Sequence, residues 1–168
     1  MASVRRLALA ALMLASAGPA VSAELSAPKG AVILTIDGRI AHGNGDGAAR
    51  FDLAMLEAME PAAISTVTPW TDGTPTFVGV DLENLMAVIG AEGQTLVVSA
   101  LNDYETRVPI SDFGEFHPIL AYKRDGAYMP VSDKGPLFIV YPYDSDPRLH
   151  NDVYYTRSAW QVVHITVE

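Results

Sequence analysis

Between Thr95 and Val167 the chain is cut into short apolar runs by turn-forming pairs, and this punctuation restricts the fold more than any other feature. Residues 95–101 form a strand-length run, Asn102-Asp103 turns it, and residues 104–110 return. Residues 119–123 form another strand, closed by Asp125-Gly126. Residues 137–141 are continuously apolar, the pattern of a strand covered on both faces. Residues 160–167 supply the last strand. Upstream, residues 32–36 read as a strand ended by Asp37-Gly38, and residues 64–67 as a short one.

Two segments break the β pattern. Asp52 is placed to cap a helix running to about residue 59, with Leu53, Leu56 and Met59 on its apolar face and Pro61 as its stop. Asp81 caps a second, with Leu82, Leu85, Met86 and Ile89 inward and Gly90 as the terminator. Two short helices among six to eight strands predict an α+β class: one compact, β-rich domain over residues 24–168.

The first 23 residues read as a cleavable signal peptide. Arg5 and Arg6 give a basic start, residues 7–17 are almost wholly apolar, and Val21-Ser22-Ala23 is a small-residue cleavage site. The apolar run is short of the ~20 residues that a membrane span needs. The expected location is therefore the periplasm. The full chain carries a formal charge of −9, and losing both arginines makes it more acidic, so a nucleic-acid partner is not expected. The chain contains no cysteine, and hence no thiolate for catalysis or for a soft metal.

Familiar catalytic signatures are missing. There is no G-x-S-x-G elbow and no H-E-x-x-H, and His42, His117, His150 and His164 lack ligand spacing. Residues 42–47 mimic a calcium loop, but Leu53 stands where a bidentate Glu is required. Polar and aromatic residues instead gather in loops at strand ends: Asn102-Asp103-Tyr104, Ser132-Asp133-Lys134-Gly135, Tyr141-Pro142-Tyr143-Asp144 and Arg157-Ser158-Ala159-Trp160. Together they suit a flat heterocycle with polar edges. Aromatic faces stack on the ring, a carboxylate accepts from ring N–H groups, and Arg or Lys meets an oxo group.

The segments FVGVDLENLM (Phe77 on), VSALNDYETRVPISD (Val98 on), LAYKRDGAYMPVSDKGPLFIVYPYD (Leu120 on) and YTRSAWQVVHITVE (Tyr155 on) resemble the sulfite-oxidase-type molybdopterin-binding fold. With GAARFDLAML near the start, the chain is similar to a short secreted subgroup, the periplasmic pterin-binding regulators. Enzymes of this fold hold molybdenum through one cysteine. The matching segment here is ISTVTPWTDG, with Thr68, Pro69 and Trp70 and no Cys. The resemblance therefore implies a reduced pterin as ligand, with no molybdenum and no enzymatic activity. It implies as partner the periplasmic domain of a membrane-bound cyclic di-GMP enzyme or a sensor kinase. The competing expectation is a molybdopterin-dependent oxidoreductase, or an accessory subunit, lacking the cysteine ligand. Carried over by position, the ligand-binding residues are Trp70 as a stacking wall, Asn102, Asp103 and Tyr104, Lys134 and Gly135, and Arg157, Ser158 and Trp160. Asp103 is the first choice for the ring-edge acceptor and Asp133 the second.

Overall fold

The computed structural model describes residues 25–168, so the expected signal peptide lies outside the described residues. In chain order the elements begin with β1 (Val32–Gly38), β2 (Ala49–Asp52), α1 (Leu53–Glu57), β3 (Pro61–Ser65), β4 (Thr76–Asp81) and α2 (Leu82–Val88). They continue with β5 (Thr95–Ala100), β6 (Glu105–Pro109), α3 (Ser111–Phe116), β7 (Ile119–Arg124), β8 (Ala127–Tyr128), β9 (Phe138–Val140), α4 (Asp152–Arg157) and β10 (Val162–Val167). One sheet has the order β2-β1-β10-β5-β6, with β1 and β10 parallel. The other runs β3-β4-β7-β8, and β9 also pairs with β7. The α+β class is as expected.

Two acidic caps start the early helices. Asp52 Oδ1 accepts the Met55 amide at 2.9 Å, while its Oδ2 accepts those of Lys29 and Gly30 at 2.8 and 2.7 Å. These amides, Gly30's foremost, hold the carboxyl below its ordinary pKa. The stabilisation is complete above the ordinary carboxylate range and is lost as pH falls through the depressed folded value. Asp81 accepts the Glu83 and Asn84 amides in the same way. α1 stops at Glu57, two residues before the expected end.

In the second sheet β7 and β9 are buried on both faces. Leu120, Tyr122, Ile139 and Tyr141 point into the main core with Leu34, Val98, Leu82 and Phe113. Ile119, Ala121, Phe138 and Val140 point the other way, into a smaller core with Phe77 and Met129. This is why residues 137–141 show no polar alternation. Trp70 and Trp160 pack against the smaller core from outside, so they lie over the outer face of this sheet.

Several expectations are corrected. The helices number four among the described residues, not two, because α3 and α4 were not anticipated. The third strand is Pro61–Ser65, displaced upstream from residues 64–67. The final strand begins at Val162; Trp160 makes only an isolated bridge to Phe138. Residues 144–156, where no element was expected, contain two single turns of tight helix and then α4. Tyr143 and Leu149 are almost fully buried and pin this segment to the core.

Gly135 has a backbone role. Its amide donates to the Pro130 carbonyl, and a Cβ built there would lie 1.8 Å from the Met129 carbonyl oxygen. Gly135→Ala is therefore expected to destabilise the protein by about 1–3 kcal/mol, as overpacking against rigid backbone does. Urea denaturation measures it; an unchanged midpoint would show that this hairpin end yields freely.

Candidate functional site

The segment from Thr66 to Thr71 presents Trp70. Thr66 and Thr68 are buried. Thr66 Oγ1 accepts the Asp144 amide at 3.1 Å, and Asp144 Oδ2 accepts the Val67 amide at 2.9 Å, clamping this segment to the one after β9. Thr68 Oγ1 shares a 2.7 Å hydrogen bond with Thr71 Oγ1 and accepts the Trp70 amide at 3.2 Å. The indole is half-buried and meets four rings edge-on. Trp160 is 5.5 Å away, Phe138 and Tyr155 are each 5.9 Å, and Tyr143 is 6.4 Å.

Beside this cluster opens a cleft of about 420 Å³, large enough for a bicyclic ring. Trp70 and Trp160 line one part of it, Asn102 and Tyr104 from the β5–β6 turn another. α4 and its end complete the wall with Asp152, Tyr155, Thr156 and Ser158. Asn102 Oδ1 accepts the Tyr104 amide, and the Tyr104 hydroxyl donates to the Thr156 carbonyl at 2.7 Å. The hairpin tip is thereby tied to α4. The buried Ser158 hydroxyl donates to the Tyr154 carbonyl, so the Tyr143 phenol is the donor in their mutual hydrogen bond. Burial pushes the Tyr143 phenol well above its ordinary pKa and keeps it protonated. Asp152 is the one carboxylate on the wall.

Five of the nine expected ligand-binding residues thus meet at one cleft: Trp70, Asn102, Tyr104, Ser158 and Trp160. Four do not line it. Asp103 sits exposed at the turn with a positive φ of 62°, a position fixed by turn geometry. Gly135 is the close-approach glycine described above. Lys134 reaches Asp133 at 3.4 Å in a neighbouring hollow. Arg157 Nη1 pairs with the buried Asp112 carboxylate at 2.8 Å, beneath α4. In their place the structure supplies Asp152, Tyr155 and Thr156. Their spacing of three and four residues was legible as one helix face, had α4 itself been foreseen. Asp133, the second choice as acceptor, is held by Arg124 at 2.5 Å.

Among the described residues, Asp81, Glu83 and His117 form one group able to bring three donor atoms within 4.8 Å. Asp81 already caps α2, while Glu83 and His117 are exposed at the surface. The group is explained by pairing of His117 with the two carboxylates at 3.8 and 3.7 Å.

No protein-family model matches the sequence, and no curated protein matches it. Among solved structures, the sulfane dehydrogenase SoxCD from Paracoccus pantotrophus is similar. The superposition has a TM-score of 0.58 and 15% identity, covering 80% of this chain. The chain spans only 37% of the length of that one. At this identity the likeness is one of fold. It supports the expected relationship to the sulfite-oxidase-type molybdopterin fold, and does not reach the secreted pterin-regulator subgroup.

Such a fold raises the question of molybdenum, and the donor set does not fit it. The expected metal-binding segment offers Thr68, whose hydroxyl is already engaged by Thr71 and the Trp70 amide. A buried, hydrogen-bonded hydroxyl is a poor ligand for a metal that takes soft thiolate.

Proposed function

We propose that the cleft binds a reduced pterin and that the protein acts as a periplasmic sensor rather than as an enzyme. The observation that carries this reading is the pairing of aromatic walls with a single acidic edge. Trp70, Trp160 and Tyr155 offer faces and edges to a flat ring, and Asp152 offers an acceptor for adjacent ring N–H and amino donors. A pterin presents both features. With no thiolate and no nucleophile–base pair at the cleft, binding is the chemistry these groups supply.

A sensor without its own catalysis needs a partner. The proposed one is the periplasmic domain of a membrane-bound cyclic di-GMP enzyme or a sensor kinase. The pterin must bind the complexed and free forms with different affinity, since equal affinity shifts nothing. α4 is the natural reporter, because it carries one cleft wall and the exposed Val153 on its outer side.

Calorimetric titration of the purified protein with dihydroneopterin tests the reading, alongside elemental analysis. One pterin per chain without stoichiometric molybdenum is expected. Absence of pterin binding, or one molybdenum per chain with turnover of a sulfur oxyanion, would overturn it.

A further inference from the structure

A second hollow, of about 340 Å³, adjoins the cleft, and Trp70 lines both. Its charged residues are Asp72, Arg124, Asp125, Asp133 and Lys134. They come from the segment following Trp70, the β7–β8 turn and the hairpin that ends at Gly135. Because Trp70 lines both, the hollow lies beside any ring held against Trp70 in the cleft.

The two cations there are already engaged. Arg124 grips Asp133 through both terminal nitrogens, at 2.5 Å and 3.5 Å. Lys134 Nζ lies 3.4 Å from the same carboxylate. Arg124, foremost, and Lys134 hold the Asp133 carboxyl below its ordinary pKa, so it is ionised at neutral pH. Asp72 and Asp125 add two further acids that form no salt bridge among the described residues, and Asp125 Oδ1 is turned to the Thr76 amide. Three carboxylates against two cations leave the hollow net negative. The cleft beside it, whose one charged wall residue is Asp152, is negative too.

We infer that the site selects a pterin with an unphosphorylated, hydroxyl-bearing substituent and discriminates against a phosphorylated one, with Asp133 as the specificity-determining residue. This rests on the pterin reading above. A phosphate brought here must either displace Asp133 from Arg124 and Lys134 or remain beside Asp72 and Asp125 without a partner. Anion sites in proteins work through cations or amides free to turn to the ligand. Hydroxyl groups meet neither obstacle, because a carboxylate accepts from them and an ammonium or guanidinium donates to them. Such a preference departs from what a molybdopterin-type fold leads one to expect, since a molybdopterin bears a phosphate.

The test compares dihydroneopterin with its monophosphate, which share one ring and differ in the phosphate alone. Wild-type protein at low salt is expected to bind the unphosphorylated compound about tenfold or more tightly, with the gap narrowing as salt screens the carboxylates. Asp133→Asn, which frees Arg124 and Lys134, is expected to close that gap by about tenfold through tighter binding of the monophosphate. Should D133N fail to fold, Asp72→Asn removes an exposed acid of the same hollow and is expected to move the ratio in the same direction by less. Equal affinities in the wild type, or a ratio unmoved by either folded variant, overturn the selectivity while leaving pterin binding in place. If neither compound binds the wild type, the pterin reading itself falls and takes the selectivity with it.

Discussion

Trp70→Ala is expected to lose about ten- to a hundredfold in pterin affinity. Stacking a heterocyclic base on an aromatic side chain is worth ~1–3 kcal/mol, and each 1.4 kcal/mol is about a factor of ten in Kd. The same substitution also costs stability, because Trp70 packs against both cores and meets Phe138, Tyr143, Tyr155 and Trp160 edge-on. A half-buried indole in such a cluster contributes about 1–3 kcal/mol, less than the ~3–5 kcal/mol of a fully buried one. The two effects must be separated, and Trp70→Phe does so. A phenyl ring keeps edge contacts with Phe138 and Trp160 but offers a smaller face. It is expected to melt close to wild type while losing roughly tenfold in affinity. Calorimetry and thermal melting on both variants decide the matter. A folded Trp70→Phe variant with undiminished affinity would reduce Trp70 to a packing residue.

The parts of this fold that were readable from sequence are those that local chemistry decides. Asp52 and Asp81 cap helices because an acid before an apolar face satisfies exposed amides, a rule that needs only a few residues of context. The run 137–141 is read as a buried strand for the same reason: its neighbours cover both faces, so no polar alternation survives. β4 escaped notice because Phe77, Val78, Gly79 and Val80 have neither alternation nor turn signals at both ends. α4 escaped because it has no fully buried residue and hence no apolar stripe. Its order comes from Asn151, whose Oδ1 accepts the Val153 amide, and from a partner 45 positions earlier in the chain.

The site was legible to the same degree. Aromatics near strand ends were visible as a group, and Trp70 and Trp160 do meet. The three wall residues of α4 depend on helical phase and so stayed hidden. Lys134 and Arg157 were carried over by position from the family resemblance, yet each is engaged by an acid. Asp133 directly precedes Lys134 in the chain and engages it locally, whereas only the fold brings Asp112 beside Arg157, 45 positions away.

Arg157 and Asp112 give the largest stability effect expected of a single substitution. Asp112 is a buried carboxylate at the start of α3, and it accepts both from Arg157 Nη1 at 2.8 Å and from the Tyr141 hydroxyl at 2.7 Å. Burial, reinforced by that carboxylate, pushes the Tyr141 phenol far above its ordinary pKa, so it stays a donor at every accessible pH. Asp112→Ala leaves a largely buried guanidinium and a buried phenol without their acceptor. Breaking one partner of a buried pair costs ~3–5 kcal/mol, and the value here is expected near the lower end because the Arg157 side chain keeps 20% of its exposure. Asp112→Asn retains an acceptor for Tyr141 and should cost roughly half as much. Adding Arg157→Ala to Asp112→Ala is expected to cost less than the two single losses together, since each single variant strands the other's charge. Urea denaturation of the four proteins gives the cycle, and strict additivity would show that the pair does not interact. The consequence reaches the cleft. Arg157 is the last residue of α4, directly between Thr156 and Ser158, so releasing it loosens the wall that carries Asp152 and Tyr155. Pterin affinity should therefore fall in Asp112→Ala even under conditions where it is fully folded. Faster amide exchange along α4 should accompany that fall, while exchange in β4 and β7 stays as in the wild type. Loss of affinity with α4 as protected as before would place the effect elsewhere than in this anchor.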